Sequence, residues 1–142
     1  MNADSNAPPR VLLVEESLPY RRVIREALMA FRHCEVDDTP SAEHAFELAL
    51  QRRYALYLFA FSLPDMRGDL LDRLLAKACP LVHHGSHSAP PIIYLLKQNE
   101  ATHWQELSRS ARARAHVLMP PRLDMLMQAT SGLLPDRNPM QP

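Results

Sequence analysis

Apolar residues come in this chain as short continuous runs separated by longer amphipathic stretches. Val11-Leu12-Leu13-Val14 is the first run, and its unbroken character predicts a strand buried on both faces. Ser17 then supplies an N-cap and Pro19 fits a first helical turn. Val23, Ile24, Ala27, Leu28 and Phe31 follow at the spacing of one helix face. Cys34 to Val36 predicts a second short strand ending at Asp37-Asp38. Thr39-Pro40-Ser41 starts a second helix, with Ala42, Ala45, Phe46 and Ala49 as its buried stripe. Ala55 to Phe61 is the most apolar stretch and predicts the central strand.

Leu63 to Gly68 breaks that strand as a turn, and Leu70, Leu71, Leu74, Leu75 and Ala78 make the next helix face. Cys79 to Pro90 is expected as a loop. Ile92 to Leu96 predicts a fourth strand and Ala101 to Ala111 a fourth helix. His116 to Met119 predicts a fifth strand. Pro121 opens a last helix running through Leu126, Ala129 and Leu133. Five strand-helix alternations imply an α/β domain: a doubly wound, five-stranded parallel sheet with helices on both faces. Such sheets do their chemistry outside the carboxyl ends of the strands. That rule selects Glu15-Glu16, Asp37-Asp38, Ala60 to Pro64, Leu96 to Gln98 and Met119-Pro120.

Composition narrows the function classes. Sixteen basic and sixteen acidic residues cancel, so charge gives no case for a nucleic-acid or anionic-membrane partner. No apolar run is long enough to span a bilayer, and Cys34 and Cys79, far from any CxxC spacing, read as buried thiols suited to a reducing cytoplasm. With three glycines, neither GxGxxG nor a P-loop can be written. His83, His84 and His87 have a spacing that invites a zinc reading, but Gly85 and the flanking prolines favour a polar loop insertion. Arg109, Arg112 and Arg114 read as cations favoured by a helix C-terminus.

Three segments resemble the receiver domains of bacterial response regulators. Val11 to Arg25 (VLLVEESLPYRRVIR) is similar to that family's first strand, acidic pair and first helix. Tyr54 to Gly68 (YALYLFAFSLPDMRG) resembles its third strand and Leu-Pro-x-Met-x-Gly turn, and Pro91 to Leu96 (PIIYLL) its fourth strand. The resemblance runs from about Arg10 to Leu133. It implies the flavodoxin-like strand order 2-1-3-4-5, with residues 1–9 as a disordered lead, 10–133 as the domain and 134–142 as a tail or linker.

The family's phosphorylation chemistry needs an acidic pair and an acceptor aspartate around magnesium, with a hydroxyl residue and a lysine on the phosphoryl oxygens. At the matching positions this chain has Glu15 and Glu16 for the acidic pair, then Ala60, Leu96 and Met119. Alanine cannot accept a phosphoryl group, and neither Ser62 nor Asp65 is a ready substitute. A lysine left without its carboxylate partner would be costly to bury, so the three losses are mutually consistent. Glu15 and Glu16 retain at most weak affinity for a divalent cation, and no cofactor is expected.

The resemblance also implies an output surface made by the fourth helix, fifth strand and fifth helix. Trp104 falls there as an exposed hot spot, with Ala101, Ser108, His116 and Arg122 around it. His116 stands where the family often carries a switch tyrosine or phenylalanine. The reading is therefore a non-enzymatic, non-phosphorylatable receiver-like module that binds another signalling protein or a second copy of itself. Two alternatives stay open. One is the N-terminal regulatory domain of a larger regulator with a DNA-binding or cyclic-dinucleotide effector. The other is a small-ligand or metal binder in the strand-end crevice, using Glu15, Glu16, Asp37, Asp38 or Lys97.

Overall fold

A computed structural model describes residues 7–85 and 89–137. The order of elements is β1 (Arg10–Val14), α1 (Leu18–Phe31), β2 (Glu35–Thr39), α2 (Ala42–Gln51), β3 (Leu56–Ala60) and α3 (Gly68–Val82). Then follow β4 (Ile92–Leu96), a 3₁₀ segment (Gln98–His103), α4 (Trp104–Leu107), β5 (Ala113–Leu118) and α5 (Leu123–Thr130). The strands form one sheet in the order β2-β1-β3-β4-β5, every pair parallel. Fold class and strand order are those implied by the sequence.

Alternation along the strands divides the core in two. Leu12, Val14, Tyr57, Phe59, Ile92, Tyr94 and Leu96 pack against α2 and α3. Val11, Leu13, Leu56, Leu58, Ala60, Ile93, Leu95, Val117 and Met119 pack against α1 and α5. Every residue of β3 and β4 is buried, which is why these strands read as unbroken apolar runs. Ser17 caps α1 by accepting from the Tyr20 amide (3.4 Å), and Ser41 caps α2 by accepting from the His44 amide (3.3 Å).

Several boundaries differ from the sequence expectation. β2 runs on to Thr39, so Asp37 and Asp38 lie inside the strand and face opposite sides of the sheet's rim. Asp37 meets Arg10, Arg52 and the Tyr54 hydroxyl, and Asp38 meets Arg21 and Arg25 of α1. These partners from distant segments stabilise two strand carboxylates that local propensity disfavours. The helix α3 continues past Cys79 and through Pro80 to Val82. Its end is tied down by the His83 amide on the Cys79 carbonyl (2.8 Å) and the His83 ring on the Ala49 carbonyl (2.6 Å). His83 is thereby a structural anchor. His87 of the suggested zinc group lies outside the described residues.

The fourth helix is far shorter than the expected Ala101 to Ala111, with one four-residue α-helical piece after the 3₁₀ segment. Without a long helix, the dipole explanation for Arg109, Arg112 and Arg114 lapses. Arg112 makes a bidentate pair with Asp72 (2.8 and 2.7 Å), Asp72 being buried and Arg112 half-buried. β5 begins at Ala113, three residues before the expected start, and α5 begins at Leu123 and ends at Thr130.

The segment from Leu134, expected as a tail, folds back as far as Arg137. Leu134 is 4% exposed in the α1/α5 core. The His33 amide donates to the Pro135 carbonyl (2.8 Å), the Arg137 amide to the Phe31 carbonyl (3.1 Å), and Arg32 pairs with Asp136. Leu134→Ala is accordingly expected to lower the free energy of unfolding by roughly 2–4 kcal/mol in urea titrations. An unchanged midpoint would return this segment to the status of a linker.

Candidate functional site

The site selected by the strand-end rule is built from the carboxyl ends of β1, β3, β4 and β5. Parallel pairing brings these ends side by side: Val14 pairs with Phe59, Ala60 with Leu95, and Leu96 with Leu118. The Phe61 amide donates to the Leu95 carbonyl (3.0 Å) and the Met119 amide to the Leu96 carbonyl (2.8 Å). Ala60, Leu96 and Met119 therefore sit on adjacent strand ends, all buried. Their side chains diverge. Ala60 and Met119 point into the α1/α5 core, and Leu96 into the α2/α3 core.

Gly68 presses on this region from the start of α3. A Cβ there would stand 2.1 Å from the Ala60 carbonyl oxygen, so only glycine permits the approach. The Gly68 amide donates to the Phe61 carbonyl (2.8 Å). The Phe61 ring is buried between the His103 ring (4.4 Å between centroids) and the Arg67 guanidinium (4.5 Å). That stack closes the β3 end from the side of the Leu-Pro turn.

Glu15 is half-buried and Glu16 exposed. The Glu15 carboxylate accepts from the Ser17 amide (2.7 Å). Burial pushes its pKa above the ordinary carboxylate range, with the Ser17 amide and the nearby Lys97 charge offsetting part of that rise. Arg21 reaches back from α1 and donates to the Glu15 carbonyl (2.8 Å) and the Glu16 carbonyl (3.0 Å), while also pairing with Asp38 (2.9 Å). The Arg21 guanidinium thus places a positive charge against the backbone carbonyls of the acidic loop. Together with an alanine in place of a third carboxylate, this donor set does not fit magnesium. Among the described residues no cluster of three His, Cys, Asp or Glu side chains is arranged to hold a metal.

Two carboxylates that sequence reasoning had assigned no role shape the rim. Glu100, 9% exposed, accepts from the Lys97 amide (2.8 Å) and from the Ser62 hydroxyl, linking the β4 end to the Leu-Pro turn. The Lys97-to-Glu100 spacing is that of a capping box without the N-cap hydroxyl, a signal that was available. Asp65 accepts from the amides of Ala42 (3.0 Å) and Glu43 (2.8 Å), capping α2 from another loop. Desolvation works to raise its pKa, but these backbone donors outweigh it and hold the carboxyl below its ordinary value. With Ser41 on His44, and the Ala45 amide on the Ser41 carbonyl (3.1 Å), every free amide of the first turn is satisfied.

The second expected surface lies on α4, β5 and α5. Trp104 is half-buried rather than exposed: it packs on the α2/α3 core and against the His116 ring (4.6 Å). Desolvation lowers the His116 pKa. Ala101 is half-buried beside this pair and Ser108 is exposed, its amide on the Trp104 carbonyl (2.8 Å). Arg122 lies exposed before α5 with its guanidinium turned to Asp124 (3.2 Å). A groove of about 380 Å³ runs between β5 and α5, lined by His116, Met125, Gln128 and Leu133 among others.

No protein-family model matches this chain, and no curated protein sequence matches it. Solved structures do match in fold. The receiver domain of AraT, a response regulator from Geobacillus stearothermophilus, superposes with a TM-score of 0.73 at 23% identity, over 88% of this chain and 92% of that one. The chemotaxis response regulator CheY4 of Vibrio cholerae gives 0.72 at 19% identity, over 90% and 100%. The signal receiver domain of an HD domain-containing protein from Pseudomonas fluorescens Pf-5 gives 0.73 at 17% identity, over 93% and 90%. The chain has the receiver fold.

The acidic loop is open to a titration test. Because folding raises the Glu15 pKa, the stability linked to its protonated form is complete below the unfolded value near 4.5 and is lost as pH rises through the folded value. Glu15→Gln is therefore expected to raise the melting temperature at pH 7 and to match the parent protein in acid. A variant less stable at neutral pH would mean that the ionised carboxylate holds the loop. Ala60→Asp is expected to lower stability by roughly 1–3 kcal/mol in urea, since it places a carboxylate in a closed apolar position. An unchanged midpoint would show that water reaches the strand end.

Proposed function

We propose that this chain is a receiver-fold signalling module that acts by binding protein and does not carry a phosphoryl group. The observation that carries this reading is Ala60. It is 5% exposed at the end of β3, with the backbone of Gly68 against its carbonyl and no carboxylate in its place. Arg21 on the acidic loop, Leu96 turned away into the opposite core, and Met119 packed on the α1/α5 side support it. Alanine, leucine and methionine side chains can neither accept nor hold a phosphoryl group, and Arg21 is engaged by Asp38 and by the Glu15 and Glu16 carbonyls, so the module is read as having no enzymatic step.

In this reading the contact surface is set by folding. It centres on Trp104 and His116, with Ala101, Ser108 and Arg122 at its margin, and the occupant is a second copy of the chain. β5 is an edge strand, and α5 beside it leaves Leu123 and Met125 half-exposed. Two-fold pairing would cover both features at once. The charged Arg114 on β5 disfavours strand-to-strand addition, so side-chain packing would make the contact. A second reading, regulation of an effector elsewhere in a longer protein, is favoured by the receiver domain of the HD domain-containing protein, which belongs to a protein named for another domain.

Two experiments test the proposal. Amide NMR spectra recorded with magnesium and then beryllofluoride are expected to show no saturable shifts at Ala60, Leu96 or Met119. Clustered shifts there would overturn the phosphoryl-independent reading. Sedimentation is expected to show self-association that Trp104→Ala weakens roughly tenfold or more. A monomeric parent protein at high concentration would remove the second copy as the occupant.

A further inference from the structure

Helices α2 and α3 pack against one another, and the β3–α3 turn is tied to the start of α2. The Asp65 carboxylate makes that tie, accepting from the amides of Ala42 (3.0 Å) and Glu43 (2.8 Å). Within the turn the Leu63 amide donates to the Met66 carbonyl (3.2 Å), and Ser62 bridges to Arg67, so Met66 is held in place. An open groove of about 490 Å³ lies between these parts, lined by Glu43, Phe46, Glu47, Asp65, Met66 and Leu74.

Its floor is apolar. Phe46 and Met66 are half-buried, each packed on the α2/α3 core, and Leu74 is 39% exposed. Three large apolar side chains meeting in one concave place differ from singly scattered surface residues, which call for no partner. Its rim is acidic. Glu43 and Glu47 are exposed, stand one turn apart on α2, and pair with no cation among the described residues. Like charges at that spacing repel each other. Asp65 adds a third carboxylate, whose oxygens each keep a lone pair beyond the amide they accept. No cation lines the groove. The arginines at the start of α3 are directed elsewhere: Arg67 lies over the Phe61 ring and pairs with Asp69 (2.9 Å), and Arg73 leans toward Asp69 (3.9 Å).

That charge selects the partner. Nucleic acid and anionic lipid would be repelled, and a cationic surface attracted. The walls are helices whose backbone groups are bonded internally, so an extended peptide finds no strand edge to pair with. A helix arrives with its own backbone bonds already made. α2 has 10 residues, so a partner helix of about two to three turns spans the groove. The chain's own exposed arginine-bearing helix, α1, is a poor complement, because Arg25 is paired with Asp38 (3.2 Å) and Glu26 shares the face of Arg22 and Arg25. We infer that the α2/α3 groove docks a short amphipathic helix of another protein, with large apolar side chains on Phe46, Met66 and Leu74 and lysine or arginine side chains on Glu43, Glu47 and Asp65. A copy paired through α4, β5 and α5 keeps this groove free for that second protein.

The probe is a synthetic peptide of about sixteen residues with leucines on one helical face, lysines flanking them and alanine elsewhere. One control carries glutamate for lysine, and another has the same composition in scrambled order. In amide NMR titrations at constant ionic strength, the lysine peptide is expected to give saturable shifts at Phe46, Glu47, Met66 and Leu74 below about 1 mM, and the controls none. Glu43→Gln with Glu47→Gln is expected to weaken binding roughly threefold or more, and Leu74→Ala roughly fivefold or more. All three positions are exposed, and melting curves check that the variants fold; should one fail, the other carries the test. The inference is overturned by no saturable shift with the lysine peptide, by shifts centred away from the groove, by equal binding of the scrambled peptide, or by unchanged affinity in the folded variants. Self-association abolished by the glutamine pair would also overturn it, since a second copy would then be the occupant. The beryllofluoride and Trp104→Ala experiments read other residues, so failure here is distinguishable from failure there.

Discussion

The central strands β1, β3 and β4 are buried on both faces, so helices must cover each of them above and below. Parallel pairing makes this obligatory, because each crossover returns over one face and leaves a helix there. The two apolar clusters on either side of the sheet meet that requirement, and most of the molecule's stability is lodged in them. Polar groups are pushed to the strand ends and the helix margins. That is where any chemistry or recognition has to be found.

At the rim, charges are spent on holding loops. Asp65 caps α2 from the β3–α3 turn, Glu100 ties that turn to the end of β4, and Arg21 grips the carbonyls of the acidic loop. Charge-assisted hydrogen bonds to backbone groups suit this purpose, since they satisfy helix ends and loop amides that would otherwise be left open. Their concentration around Ala60 fixes the loops where receiver-fold chemistry would need a metal and an anion.

Much of this was legible in the chain. The apolar runs located β1, β3 and β4 because burial on both faces removes the polar alternation that other strands show. Ser17 and Ser41 located two helix starts because an N-cap acts on amides two or three residues away. Misreadings arose where distant partners override local preference. Asp37 and Asp38 stay in strand because five groups from elsewhere satisfy their carboxylates. Pro80 stays in helix α3 because His83 anchors the turn beyond it.

Sequence alone determined the α/β architecture, the strand order through its resemblance to receiver domains, and the identities Ala60, Leu96 and Met119 at adjacent strand ends. These follow from residue type and spacing, which act over a few positions along the chain. Only the tertiary structure decided which way those side chains point, that Trp104 is half-buried on His116, and that Leu134 to Arg137 belongs to the body. It alone placed Asp65 on α2, Glu100 on Ser62, and Arg112 on Asp72. Each of those is a contact between residues more than twenty positions apart, and no local periodicity encodes which carboxylate will meet which donor once the helices have packed.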